Sequence, residues 1–460
     1  MRLPTGAVFV TYILVKEMYM GREENRKNFS KYVSQNILGM IGFSCYVLAD
    51  SYFISVAKGA DGLTALNLVM PLYSIIFSIG EMIGVGSAIR YAIGKIKKDT
   101  DADKYFWNAL IWCIMLSVIF VFAGIFFSSD IMRILGADEH IISVGNNYTK
   151  IFMCFAPMFM CNYVTNAFVR NDGAPGIAMS ATLFSSLFNI VFDYILMFPM
   201  NLGMEGAALA TALSPIIGMG ICCIHFFSKK SNVKLVVCRP SVKRLVAGSQ
   251  LGVSAFVGEM SSAVITLAFN FVILRLTGNV GVAAYGVVAN IAIVTTAVFN
   301  GVAQGSQPLI SSCFGKGDRA GCAQLKRMGY ITAFVLAAVM YSVLFIFAGQ
   351  FVEVFNSEGS EMLRIYATDG VKLYFIGIFF AGINIVGGGA FSATEDAVKA
   401  AVVSVARGFV LIVGAVFVMS AILGMTGVWL AYAVAEGLTT FIMLIMVLSE
   451  KKRKKVVVLS

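Results

Sequence analysis

LGMEGAALATALS, residues 202–214, returns as LGMTGVWLAYAVA at 423–435: Leu, Gly, Met, Gly, Leu, Ala and Ala coincide at a constant offset of 221. A second pair of blocks keeps nearly the same offset. GLTALN at Gly62 answers GVAAYG at Gly281, and Gly86 then falls on Gly305. Order and spacing agree across two separate blocks, so the chain is read as two copies of one unit of about 220 residues.

Apolar runs show what the unit is made of. The chain has 460 residues, 58% hydrophobic and 13% charged, about half the charged fraction of an ordinary soluble domain. Runs bounded by charges fall at 33–57, 65–93, 106–127, 148–169, 177–198, 207–227, 246–274, 283–310, 328–351, 371–393, 398–422 and 428–447, most of them long enough to cross a bilayer as helices. The expected fold is all-α and integral to the membrane, with twelve transmembrane helices in two pseudo-symmetric six-helix bundles facing a central cleft. Six helices per copy give both copies the same sense, and the pseudo-two-fold axis then lies along the membrane normal. The expected parts are an N-terminal extension at 1–29, bundles at 30–228 and 246–448, a cytoplasmic linker at 229–245 and a basic tail at 449–460. Leu3 to Val15 is apolar but too short to span; it reads as an interfacial or disordered extension, or as sequence upstream of a start at Met18 or Met20.

Basic residues set the orientation. Lys95, Lys97, Lys98, Lys104, Lys229, Lys230, Lys234, Lys316, Arg319 and KKRKK at 451–455 share one side with both ends, while the opposite loops hold little beyond Lys58, Arg133, Lys150, Arg275, Arg364 and Lys372. Both termini are therefore expected in the cytoplasm. The net charge of +10 is a topology signal and a contact to anionic membrane lipids, which makes nucleic acid the poorer partner. Nine cysteines without a CxxC, and two histidines far apart, His140 and His225, suggest neither a disulfide framework nor a zinc site. No G-x-x-x-x-G-K-[ST] and no Asp-rich cytoplasmic loop offers to hold a nucleotide or Mg²⁺. An enzyme is not expected, nor any cofactor beyond a coupling ion.

Within FNIVFDYILMF, residues 188–198, Asn189 and Asp193 stand one turn apart and share a helix face. Tyr46 and Asp50 repeat the spacing in the first helix, and Asn162 and Asn166 in the fourth. Tyr148 precedes Asn162 on roughly the same face, and Thr211 lies in the sixth helix. A charged carboxylate at mid-bilayer costs at least ~2.5–3.5 kcal/mol and normally faces protein or water. These faces are expected to point at one another. Converging acids with amide and hydroxyl oxygens beside them can share protons or hold a hard monovalent cation such as Na⁺. At the repeat offset Asp193 falls on Gly414 and Asn189 on Val410, while Asp50 lands near Asn270. The second copy lacks the acid pair, so the pair is not needed for the shared fold, and the ion site is placed in the first bundle. The second bundle offers Glu259, with Asn270 three turns on, and Arg407, the only basic residue deep in a helix; these are the candidate substrate contacts there. Glu81 and Glu436 lie in Gly-rich apolar helices with no evident local partner.

LADSYFISVAKGADGLTALNLVMPL (48–72), NAFVRNDGAPGIAMSATLFSSLFNIVFDYILMF (166–198), GMEGAALATALS (203–214), QGSQPLISSCFGKGD (304–318) and LGMTGVWLAYAVAEG (423–437) together resemble the multidrug and toxic compound extrusion (MATE) family, on its bacterial DinF-like side. The likeness covers roughly 30–448. It implies a cation-coupled antiporter of the bacterial cytoplasmic membrane, expelling amphipathic organic cations and other toxic compounds against inward H⁺ or Na⁺, with a monomer as the expected assembly. It implies cation coupling at Asp50, Asn189, Asp193 and Thr211, and a cavity lined by Tyr46, Tyr148, Asn162 and Asn166; Glu259 matches a seventh-helix acid of another branch. That branch's tenth-helix acid has no match, since FFAGINIVGGG (379–389) offers only Asn384. A flippase for lipid-linked sugars shares the two-bundle plan but usually presents several cations to its cavity, where Arg407 stands nearly alone. A major facilitator-type transporter and a membrane glycosyltransferase are weaker alternatives.

Overall fold

The computed structural model describes residues 5–355 and 360–459, with side chains over 22–353, Ala60 apart, and 360–449. The side chains of residues 1–21 of the extension and of the basic tail at 451–455 lie outside the described residues, as does Glu358. The backbone is helical from Thr5 and runs without interruption into the first span.

Helix 1 (Arg22–Gly59) and helix 2 (Asp61–Ile96) are followed by helix 3 (Lys104–Ile134). Helix 4 is a bent pair, Glu139–Cys154 and Ala156–Asn171, at 47°; Pro157 sits in the first turn of its second half, where a missing N–H ends the ladder of the first. Helix 5 (Pro175–Met197) and helix 6 (Gly203–Phe226) complete the first bundle. After the linker, Val242–Gly315 breaks at Gly278 into helix 7 (242–277) and helix 8 (279–315). Helix 9 (Arg319–Ile346), a short helix at Ala348–Phe355 and helix 10 (Glu361–Ala393) follow. Ala397–Ser449 breaks at Gly424 into helix 11 (397–423) and helix 12 (425–449). The described residues thus hold twelve spans, six in each bundle.

The breaks repeat with the sequence. Gly59 and Gly278 both have positive φ, 59° and 68°, at the first tight turn of each half. Gly203 and Gly424, the second residues of the two LGM blocks, do the same at the last, with φ of 53° and 59°. A side chain at such a φ is strained, so glycine at equivalent corners lets each bundle reverse direction without a longer loop.

Each bundle has its own core, one around Tyr148, Phe152, Phe159 and Phe168 and one around Phe269, Tyr285, Tyr374 and Trp429. Helix 3 turns Ile114, Met115, Val118, Ile119, Phe122 and Phe126 outward, all exposed. In water such a stripe would be an association hazard; against acyl chains it is the solvated face.

The bundles meet at the end where helix 1 begins. A Cβ on Gly86 would lie 2.0 Å from the Gly248 carbonyl oxygen, and one on Gly252 would lie 1.9 Å from that of Met82, so helices 2 and 7 cross backbone to backbone. Gly301 and Gly305 of helix 8 meet Ile37 and Val33 of helix 1 in the pseudo-equivalent crossing. Arg90 of helix 2 adds an ion pair to Glu395 and a 3.1 Å bond to the Ala247 carbonyl.

Candidate functional site

Helices 1, 5 and 6 bring together the first-bundle set. Asn189 and Asp193 are completely buried, Thr211 almost so, and Asp50 is 7% exposed. With its amide turned so that the nitrogen faces the acid, Asn189 has that nitrogen 3.0 Å from Asp193 Oδ2 and its oxygen accepting from Thr211 Oγ1 at 3.1 Å. That leaves one carboxylate oxygen on each acid, Asp50 Oδ1 and Asp193 Oδ1, buried without a hydrogen-bond partner among the described residues. The two acids are close enough to interact electrostatically. Buried carboxylate oxygens are rarely left unpaired, and here they stand in one bundle beside an amide and a hydroxyl. Among the described residues no three His, Cys, Asp or Glu side chains converge on a metal site. Two carboxyls with neutral oxygens suit a proton or a monovalent cation better than a divalent one.

Tyr148 is fully buried in the first core and hydrogen-bonded to the hydroxyl of Tyr73 on helix 2. Tyr148 does not line the cavity described next.

A cavity of about 110 Å³ lies nearer the bundle-contact end, lined mainly by helices 1, 2, 4, 5 and 6, with Glu259 of helix 7 and Gln304 of helix 8 contributed by the second bundle. Tyr46, Asn162, Asn166 and Glu259 line it. Phe43, Phe77, Phe159 and Tyr163 give it aromatic walls, and Met40 and Met179 add soft, adaptable ones. Asn166 is tied to helix 5 by bonds of 3.2 Å to the Ala178 carbonyl and to Thr182 Oγ1. Asn162 keeps an unpartnered Oδ1. Glu259 is half-buried and has no hydrogen bond or ion pair among the described residues. A carboxylate so placed, between aromatic rings, attracts a cation. Tyr46 joins the two regions, since it lines the cavity one turn before Asp50.

Two expected contacts lie elsewhere. Asn270 does not line the cavity, and its Oδ1 is unpartnered. Arg407 sits in a π-helical turn of helix 11, Ala406–Val410, and pairs with Glu436 of helix 12, Nη2 to Oε1 at 2.8 Å and Nε to the same oxygen at 3.0 Å. Asn384 of helix 10 donates to the other Glu436 oxygen at 2.7 Å and accepts from Thr440 at 3.0 Å. This network is internal to the second bundle. It answers the question raised by Glu436, whose partners come from helices 10 and 11. Sequence reasoning singled out neither Asn36, Arg170 nor Gln304, all of which line the cavity. The signal available was QGSQ at 304–307, two glutamines one turn apart inside a helix of membrane-spanning length.

A family model described as MatE matches residues 36–195 and again 255–418, one match in each bundle and together well over half the chain. The "Multidrug export protein MepA" of Staphylococcus saprophyticus is 26% identical over 403 residues, covering 87% of this chain and 88% of that protein. Its namesake in Staphylococcus aureus strain MRSA252 is 26% identical over 414 residues, covering 87% and 89%. Among solved structures, one described as the outward-facing conformation of a multidrug resistance MATE family transporter of the MOP superfamily superposes with a TM-score of 0.86 at 21% identity, covering 93% of this chain and 97% of that one. A MOP superfamily transporter from Pyrococcus furiosus, whose binding pocket is described as of reverse polarity, gives 0.85 at 21% identity, covering 92% and 95%. With the twelve spans, the repeated bundle and the two-fold match of the family model in place, the chain belongs to the MatE family, the multidrug and toxic compound extrusion transporters.

Proposed function

We propose that this protein is a secondary antiporter of the bacterial cytoplasmic membrane that exports amphipathic organic cations and related toxic compounds in exchange for H⁺ or Na⁺. The observation that carries the reading is the separation of two acidic regions. Asp50 and Asp193 are buried with Asn189 and Thr211 inside the first bundle, each acid with an unpaired oxygen. Glu259 stands unpaired in an aromatic cavity reached through Tyr46. The first set is the coupling site, and the second is the substrate site, with Asn162 and Asn166 as its adaptable polar contacts.

Both termini are cytoplasmic in this reading, the bundles span 30–228 and 246–448, and the protein acts as a monomer among membrane lipids. The end at which the bundles touch is then the cytoplasmic one. Ion arrival at Asp50 and Asp193 favours one arrangement of helices 1 and 5 and substrate the other, which is the differential binding that exchange requires. The named Staphylococcus relatives, multidrug export proteins by description, support the substrate class. The cavity holds two carboxyls, Glu81 and Glu259, against the single guanidinium of Arg170, a balance that favours cations over a lipid-linked diphosphate. The test is export of ethidium from proteoliposomes, with the pH and Na⁺ gradients imposed separately. Acceleration by at least one gradient is expected; indifference to both would overturn the antiporter.

A further inference from the structure

Arg170, at the end of helix 4, is 5% exposed and Glu81, on helix 2, is 7% exposed. Both belong to the first bundle and both line the cavity. They are nonetheless bridged by a residue of the second bundle. Gln304 of helix 8 accepts from Arg170 Nη1 through its carbonyl oxygen and donates to Glu81 Oε1 at 3.1 Å through its nitrogen. Arg170 Nη1 also donates to Asn36 of helix 1 at 3.1 Å. A side-chain amide satisfies an acid and a base at once, because its nitrogen donates while its oxygen accepts.

We infer that Gln304 is a positioning residue for transport: its amide, inserted between Glu81 and Arg170, latches the end of the cavity at which the two bundles meet. The latch lies at the glycine crossing. Gly305, the next residue, packs on Val33 and Tyr32 of helix 1, and Gly301 on Ile37, so Gln304 is carried at the contact line and moves with the second bundle. When the bundles part at this end, Gln304 withdraws, and the acid and base left on the first bundle are free to pair with each other. Both states then leave Glu81 and Arg170 partnered, which keeps the cost of switching low, since a buried charge stripped of its partner is what would otherwise block the change. Glu259, without such a partner, remains the cavity's free acid in the closed arrangement. The inference rests on the antiporter reading above, in which ion and substrate favour different arrangements of the protein.

Hydrogen–deuterium exchange on the full-length protein in lipid nanodiscs reads the latch without added labels. Gln304→Leu removes both hydrogen bonds to charged groups and is expected to favour the arrangement open at this end by roughly tenfold or more. Exchange should rise in the segments 30–40, 82–92, 246–256 and 300–310, and fall at the opposite-end turns around Gly59 and Gly278. A variant that is merely destabilised would exchange faster at both ends, and that result would overturn the proposal. The swap gives a second test. Gln304→Glu alone sets two acids against each other and should open the latch, whereas Glu81→Gln combined with Gln304→Glu rebuilds the bridge in reverse and should restore wild-type protection. Wild-type exchange in Gln304→Leu, or no rescue in the swap, would also overturn it. An exchange response in a protein that moves no ethidium under either gradient would support the latch and refute only the antiporter reading.

Discussion

Asp193 Oδ2 lies 3.0 Å from the side-chain amide of Asn189, one turn before it on helix 5, and the same amide is hydrogen-bonded to Thr211 Oγ1 on helix 6. The helix face therefore fixes one oxygen of the acid and leaves the other unpartnered. Asp193→Asn keeps size and hydrogen bonding and removes the titratable charge. Gradient-driven ethidium export is expected to fall to background while the protein still inserts and elutes as a single species. Export at wild-type rate in this variant would remove Asp193 from the coupling site.

Glu259 is the unpaired acid of the cavity, and its loss should be felt by charge. Glu259→Gln is expected to weaken binding of a monocationic aromatic dye by roughly tenfold, ~1.4 kcal/mol, and that of a neutral dye of similar shape far less. Fluorescence titration of the purified protein with both dyes measures the difference. Equal losses would place Glu259 in a structural role.

Arg407 and Glu436 behave as structure, and the prediction is one of stability. Their side chains are 14% and 3% exposed, and removing one partner of a buried pair typically costs about 3–5 kcal/mol. Arg407→Met should lower the thermal midpoint in detergent clearly, and adding Glu436→Gln should recover part of the loss. An unchanged midpoint in Arg407→Met, with reduced dye binding instead, would return Arg407 to the substrate site.

Orientation is checked by reporters. Tags at Lys98 and Lys234 should be reached only from the cytoplasm, and one at Asp138 only from outside. One reversed site would break the even count of spans on which the repeat depends.

The apolar runs, the offset between halves and the i, i+4 polar pairs were legible in the sequence because each is a local property of one helix or a recurrence along the chain. What a helix faces across the bundle is not. The partner of Glu436 lies 29 residues away on helix 11, and Arg170 and Gln304 are 134 residues apart. Their meeting depends on the rotation of helices about their own axes, which apolar periodicity fixes only loosely in a lipid-solvated bundle. Tyr148 shows the same limit: it bonds to Tyr73 and does not line the cavity. The expected range at 148–169 also began too late, because the first half of helix 4, Glu139–Cys154, is amphipathic and loses the hydropathy signal before the bend.

Coupling between Asp50, Asp193 and the cavity is the central claim, and it is reciprocal: if ions alter substrate binding, substrate must displace ions. Ethidium added to the purified protein in weakly buffered detergent with a pH dye, with and without Na⁺, tests it directly. The account predicts proton release, or displacement of Na⁺, on ethidium binding to the wild type, and suppression of that signal in both Asp50→Asn and Asp193→Asn. Ethidium binding with no proton release and no sensitivity to Na⁺ would contradict it.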